Sequence, residues 1–524
     1  MDIQKYDVII SGGGLAGLTL ALQLNNMNPN IRVVIVERNC FPVPATTAKV
    51  GESTVEIGSH YLSHVLGLKE HLQKHHLRKF GLRCYFGRES DDFSSLDELG
   101  VSDLFGVPSY QIERGTLENY LHQHLCERGV SIIDGAQTLH IDVQSEQHTL
   151  TFKKADAEHT IASRWLIDAA GRHGLLKSTL NLSQPSAHKG NAVFFRINKT
   201  IMLDKWSDDA AWQTRIKEQG KRWLSTNHLM GPGYWVWVIP LASGATSIGI
   251  VFDDQVLAES NLVSFEHCMA WLADEQPKCA QEIGDATPLD FHRIENYAYD
   301  CKQFLSVDRW AVIGEAGAFV DPFYSPGSDF IAINNTLVSQ LITQDVNGED
   351  VRLNTLVYEA FYRSFVQHTQ SLYVGQYGGF GDRQMMGVKL IWDYSYYWGV
   401  LAVMFIKQAI TDVSTLRSIN PLLFRAQKLN NTMQDAMRTR ASKRLQLPAK
   451  GAFLDQYKVP CLHTFHHALT DACTLSVEQA LMQNVELMEK IVPALLDMLG
   501  DNPAADVSDA EHLLLGDYRL SVLA

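Results

Sequence analysis

The chain opens with two continuous apolar runs separated by a glycine turn and a helix-forming stretch. Tyr6 to Ser11 reads as a buried strand, Gly12 to Gly17 as a turn, Leu18 to Leu24 as a helix, and Ile31 to Val36 as a second buried strand. This order predicts a βαβ unit with a parallel strand pair. Farther on, Ala192–Ile197, Tyr234–Ile239 and Thr246–Phe252 are strand-like, and little helix separates the last two, so a mainly antiparallel layer is expected over residues 191–295. Between Trp310 and Val320 a strand and a glycine-bearing turn return. They suggest that the first domain, residues 1–190 with an inserted stretch near 80–105, is completed by residues 296–375. Residues 376–524 read as a helical C-terminal region rich in Met, Leu and aromatic side chains, ending from Asp501 in an acidic tail.

The longest apolar run, Leu390 to Ile406, is short for a bilayer span, contains Asp393 and is flanked by Lys389 and Lys407. It is expected to be a buried or partly interfacial helix rather than a membrane span, and membrane contact is not the expected role. At 524 residues, with 46% hydrophobic and 20% charged side chains, the chain suits two or three packed units. The formal net charge of −14 and the absence of a dense Lys/Arg run exclude nucleic acid as an expected partner. Eight scattered cysteines without a CxxC pair, and no apolar leader, point to a reduced, cytoplasmic setting. Cys461, His463, His466, His467 and Cys473 match no closed zinc module, and no metal is expected.

The glycine turn carries the first chemistry. Gly12, Gly14 and Gly17 fit GxGxxG between strand and helix, with Ala16 before the last glycine. Such glycines permit a tight turn, backbone approach to a pyrophosphate, and close helix packing. Glu37 closes the second strand about 20 residues later, where an acid accepts hydrogen bonds from a ribose. Arg38 beside it could instead meet a 2′-phosphate, so the unit alone leaves FAD and NAD(P) both open.

Later segments separate the two. Val50-Gly51-Glu52-Ser53, Gln111 to Arg114, Asp168-Ala-Ala-Gly-Arg172, and Gly314-Glu315-Ala316 followed by Asp321-Pro322 resemble the FAD-binding segments of the flavin monooxygenase and halogenase superfamily. The resemblance implies an α/β fold. It would combine a Rossmann-like FAD-binding domain, a mixed or antiparallel substrate-side sheet and a helical C-terminal region. It puts Ser53, Arg114 and Asp168 at the cofactor, and Gly314 and Glu315 at the ribityl chain, where relatives usually carry Gly-Asp.

Trp235-Val-Trp237-Val-Ile239-Pro240 is similar to the WxWxIP signature of flavin-dependent halogenases. In a strand Trp235, Trp237 and Ile239 share one face. The resemblance implies a role beside the flavin and its tunnel. The segment from His76 to Gly87 resembles the one that carries the halogenase lysine, which makes Lys79 the catalytic candidate. Ser325, Pro326 and Gly327 occupy the stretch that in the family holds halide through backbone N–H groups, and here Pro326 has none to give. Tyr324 stands where tryptophan halogenases place a glutamate, which argues against free tryptophan as substrate.

The expected activity is halogenation of an electron-rich aromatic ring, phenol- or pyrrole-like, either free or presented on a carrier protein. Hypohalous acid would form from reduced FAD, O2 and halide and be delivered through Lys79. A separate flavin reductase is the expected source of reduced FAD, since no second nucleotide motif is present. The alternatives are an FAD-dependent monooxygenase or oxidoreductase on the same scaffold without halide, and a non-catalytic flavoprotein.

Overall fold

The computed structural model describes residues 3–45, 49, 51–88, 90–253 and 262–500; Val50 and the acidic tail from Asp501 lie outside them. The fold is α/β, and the chain divides into two compact units, each with its own large sheet.

The first unit takes the chain up to His76 together with Ile112–Ala187 and Ala298–Gln370. Its seven-stranded sheet runs Ser131–Ile133, Val33–Val36, Gln4–Ser11, Ala157–Asp168, His148–Lys154, Ala136–Asp142, and Trp310–Val312 also pairs with Ala157–Asp168. The nucleotide-type half is parallel, and the two strands after it turn back antiparallel. Val8, Ile9, Ile10, Val34, Ile35 and Ile167 are fully buried, as a parallel sheet covered on both faces requires. Helix Leu15–Met27 lies close on the first strand: a Cβ at Gly17 would come within 2.0 Å of the Gly12 carbonyl oxygen.

The second unit takes Leu77–Gln111, His188–Tyr297 and the chain from Ser371 on. Its eight-stranded sheet runs Pro288–Ile294, Asn191–Ile197, Thr246–Phe252, Tyr234–Pro240, Thr226–Gly231, Leu82–Phe86, Asp97–Gly100, Phe453–Asp455. It is mixed, because Thr226–Gly231 pairs parallel with Leu82–Phe86, and Asp97–Gly100 parallel with Phe453–Asp455. On one face Val193, Phe195, Val236, Val238, Ile248 and Ile250 form a core with Cys268, Leu272, Cys279 and Ile283 of two helices. Side-chain alternation therefore commits Trp235 and Trp237 to the opposite face.

Helices Arg383–Tyr396, Val413–Ala441 and Val477–Met498 build most of the C-terminal region. The apolar run is not one helix: the α-helix changes to a π-turn at Tyr397–Ala402 and resumes for Val403–Ile406. Lys389 and Asp393 form a buried ion pair at 2.8 Å one turn apart, which is how two charges are tolerated in an apolar segment. Among the described residues no helix is long and apolar enough to cross a membrane.

Candidate functional site

The glycine turn of the first unit separates three reasons for glycine. Gly12 has φ +117°, and a Cβ there would lie 2.3 Å from the Ala169 carbonyl oxygen. Gly17 is needed for helix packing. Gly14 has an ordinary φ of −79°, and the nearest atom to an added Cβ is Lys49 Nζ at 4.0 Å. Neither strain nor crowding by the chain demands glycine at Gly14. What it leaves is open backbone at the N-terminus of a 13-residue helix, the surface a pyrophosphate needs. The residues present fit a dinucleotide.

Glu37 is buried, and its carboxylate is engaged within the loop. Oε2 accepts from Gly13 N–H at 2.6 Å, and Oε1 accepts from Asn39 N–H at 2.8 Å and Asn39 Nδ2 at 2.7 Å. Arg38 is exposed and bonds the His173 ring. Arg114 starts the helix Arg114–Glu127 and donates to Glu118 Oε1 at 2.8 Å, while Lys49 Nζ meets Glu118 Oε2 at 2.5 Å. The Arg114 guanidinium lies over Gly51, where a Cβ would be 2.9 Å from Nη1. Ser53 is buried.

Asp168 is placed at the end of its strand with a job inside the chain: Oδ1 accepts from Ala170 N–H at 3.0 Å and Oδ2 from Leu176 N–H at 2.7 Å. Burial pushes its carboxyl up to about 6, against those amides and Lys177. Gly314 has φ +55°, and a Cβ there would lie 2.9 Å from Ala16 Cβ, so this turn and the dinucleotide turn abut. Glu315 is half-buried, 3.6 Å from Arg172 Nε, and its carbonyl accepts from Tyr299 Oη at 2.6 Å. Asp321 Oδ1 accepts from Phe323 N–H at 2.9 Å, closing a turn that leads to Ser325 at φ +57° and to Pro326. Pro326 heads the 20-residue helix Gly327–Val346. The Asp329 and Phe330 amides return to the Pro326 carbonyl, whereas Gly327 and Ser328 donate to nothing among the described residues, and no atom lies within 4 Å of a Cβ at Gly327.

Lys79 belongs to the second unit. Despite its charged neighbourhood in sequence, it is only 4% exposed. Its backbone N–H bonds Ser109 O at 2.9 Å, and Phe80 N–H bonds Leu224 O at 3.1 Å, which anchors the segment on both sides. Arg83 is buried too, paired with Glu98. His228 on the strand Thr226–Gly231 is a neighbour that no motif announced. Burial first, and then the Lys79 ammonium, hold its imidazole well below the ordinary value, so it is neutral. Its ring lies 4.5 Å from that of Trp235, and the Trp235 and Trp237 rings are 5.8 Å apart. Trp237 donates to Ser247 Oγ at 3.2 Å and covers Gly249, where a Cβ would collide at 2.2 Å. The pairing register places His228 opposite Trp237; a reader of the sequence would need that register to find it. Among the described residues no cluster of three or more His, Cys, Asp or Glu is placed to hold a metal ion.

A family model described as "FAD binding domain" matches residues 5–304. The flavin-dependent halogenase chlA of Dictyostelium discoideum is 28% identical over 428 residues, covering 76% of this chain and 70% of that protein. A 1H-pyrrole-2-carbonyl-(peptidyl-carrier protein) chlorinase of Pseudomonas fluorescens is 25% identical over 395 residues, covering 70% of this chain and 82% of its own length. The crystal structure of halogenase PltM in complex with phloroglucinol and FAD superposes with a TM-score of 0.70 at 16% identity, over 92% of this chain and 96% of that one, which is a likeness of fold.

Proposed function

This chain belongs to the FAD binding domain family and is an FAD-dependent oxidoreductase, and on that premise we propose that it halogenates an electron-rich aromatic ring, phenol- or pyrrole-like. The observation that carries the reading is the burial of Lys79 close to the neutral His228, whose ring in turn packs on Trp235. A lysine is almost never fully buried unless paired, and a hydrogen bond from an ammonium shielded from water is stronger than one in bulk solvent.

Gly12, Gly14 and Gly17 would receive the FAD pyrophosphate, Arg114 would lie along the cofactor, and Gly314 and Glu315 would meet the ribityl hydroxyls. At this site reduced FAD would supply two electrons to O2, the chemistry by which halide and a proton would give hypohalous acid and water. Lys79 donates a hydrogen bond to the hypohalous oxygen and presents the halogen to the ring. The new bond is carbon–halogen, the ring proton leaves, and the oxygen departs as water. Trp235 and Trp237 keep bulk water from that lysine. The amides of Gly327 and Ser328 are the donors left for halide once Pro326 has none.

Relatives support both substrate presentations: one is named for a carrier-bound pyrrole, another was crystallised with phloroglucinol, a phenol. A separate flavin reductase would deliver reduced FAD. The eight cysteines, none in a disulfide, suit a reducing cytoplasm.

Mass spectrometry of products formed from reduced FAD, O2 and bromide with a panel of phenols and pyrroles tests the reading. Wild type should give brominated product, while Lys79→Ala and Lys79→Arg should oxidise flavin normally and give none, because guanidinium stays protonated and differs in shape. Oxygenated product with no response to bromide would replace the halogenase with the monooxygenase alternative, which Pro326 favours.

A further inference from the structure

Trp235 is held by more than its strand. Its indole N–H donates to Tyr377 Oη at 3.0 Å, Tyr377 Oη lies 3.0 Å from Tyr297 Oη, and Tyr297 Oη lies 3.1 Å from His188 Nε2. All four side chains are buried, none more than 3% exposed. The indole donates to the Tyr377 hydroxyl, and the two hydroxyls and the His188 ring nitrogen continue the wire as groups that can each donate or accept. The indole is a donor only, so the first link runs from Trp235 to Tyr377.

Each link is fixed by backbone as well. The Gly233 N–H, in the turn that leads into the tryptophan strand, donates to the Tyr377 carbonyl at 3.0 Å, and Gly381 packs so closely on Pro232 that a Cβ would sit 2.9 Å from its ring. Tyr297 N–H donates to Gly190 O at 3.0 Å, and a Cβ at Gly190 would come within 2.4 Å of Tyr297 Oη. Three segments distant in sequence, around 188–190, 297 and 377–381, thus converge on one indole. That indole touches His228, the neutral neighbour of Lys79.

We infer that Tyr377, Tyr297 and His188 are positioning residues that lock the Trp235 indole in a single orientation against His228, and that the start of the C-terminal helical region belongs by this route to the substrate side of the protein. None of the three need touch substrate. Without the wire the indole can rotate about its side-chain torsions, and the environment of Lys79 changes with it. The catalytic consequence rests on the proposed halogenase reading; the orientation of Trp235 does not.

The test uses the full-length, FAD-loaded protein with Tyr377→Phe and Tyr297→Phe, changes that remove one oxygen each and keep the ring. The ultraviolet resonance Raman band sensitive to indole N–H bonding, taken as a difference against a Trp235→Phe background, should shift for Tyr377→Phe and shift less for Tyr297→Phe. For Tyr377→Phe, kcat for ring modification should fall about tenfold, the equivalent of about 1.4 kcal/mol, while FAD affinity and the rate of flavin oxidation stay put. A merely structural role would lower stability and leave the Trp235 band and the ratio of kcat to flavin oxidation unmoved. An unshifted band in both variants overturns the inference whether or not wild type halogenates. A band that shifts in the variants, together with a wild type that makes no halogenated product, would sustain the positioning role and sink the function proposed above.

Discussion

The Gly13 N–H donates to Glu37 Oε2 at 2.6 Å, so the acid at the end of the second strand fastens the glycine turn itself. Its other oxygen holds Asn39 twice. One carboxylate thereby sets the shape of the loop that a pyrophosphate would meet and still has lone pairs for a ribose. Glu37→Gln keeps the length but turns an amide NH2 toward one of these N–H donors. Losing a charge-assisted hydrogen bond is worth about 1.5–3 kcal/mol, so FAD affinity should fall by roughly one to two powers of ten, read by calorimetry. Unchanged affinity would mean that the loop holds its shape without Glu37.

Two glycines of the same turn should fail in opposite ways. Gly14→Val places a side chain where the chain itself leaves room, so the apoprotein should melt close to wild type while FAD binding is lost. Gly17→Ala drives a methyl to within 2.0 Å of the Gly12 carbonyl, so folding should suffer first. Thermal melts with and without FAD separate the two. A Gly14→Val protein that binds FAD normally would remove the glycine turn from the cofactor site.

Asp168 gives a pH dependence with a definite sign. Its folded-state value of about 6 lies above the ordinary 3.8, so between the two the native state holds a proton that the unfolded chain has released. Stability from this group is present below the unfolded value and is lost as pH rises toward 6, with a slope of about 1.4 kcal/mol per pH unit at most. Asp168→Asn should cost stability at every pH, because one of the two amides at Ala170 and Leu176 loses its acceptor, and the difference from wild type should narrow between pH 4 and pH 6. Denaturant melts across that window check it; a constant difference would leave the carboxyl unperturbed.

Pro326 should limit halide use. The helix it heads offers the amides of Gly327 and Ser328 but no N–H from residue 326 itself. Its φ of −76° suits threonine equally well. Pro326→Thr restores one donor, and a hydrogen bond to an ion, worth about 1.5–3 kcal/mol, should lower the half-saturating bromide concentration roughly tenfold to a hundredfold. Steady-state rates against bromide read this directly, and an unaltered half-saturation would place halide elsewhere.

The shape of the glycine turn and its acid was legible in the chain because its causes are local. A tight turn needs Gly12, helix packing needs Gly17, and an acid at a strand end needs only Glu37, so a few neighbouring letters carry each signal. The alternation of the Trp235 strand likewise told which residues share a face. What surrounds Lys79 was not legible. Its flanking arginines suggest a solvated loop, yet Arg83 is paired with Glu98 in the interior and Lys79 is buried beside His228, because strands from residues 82–86 and 226–231 lie parallel and adjacent. Tyr377, Tyr297 and His188 carry no motif at all; their hydroxyls and ring nitrogen acquire meaning only when three separate segments close on one indole. Periodicity and turn chemistry act between neighbours in the chain and can be read from it, whereas long-range strand register and buried hydrogen-bond partners depend on how distant segments pack, and only the tertiary structure decided those.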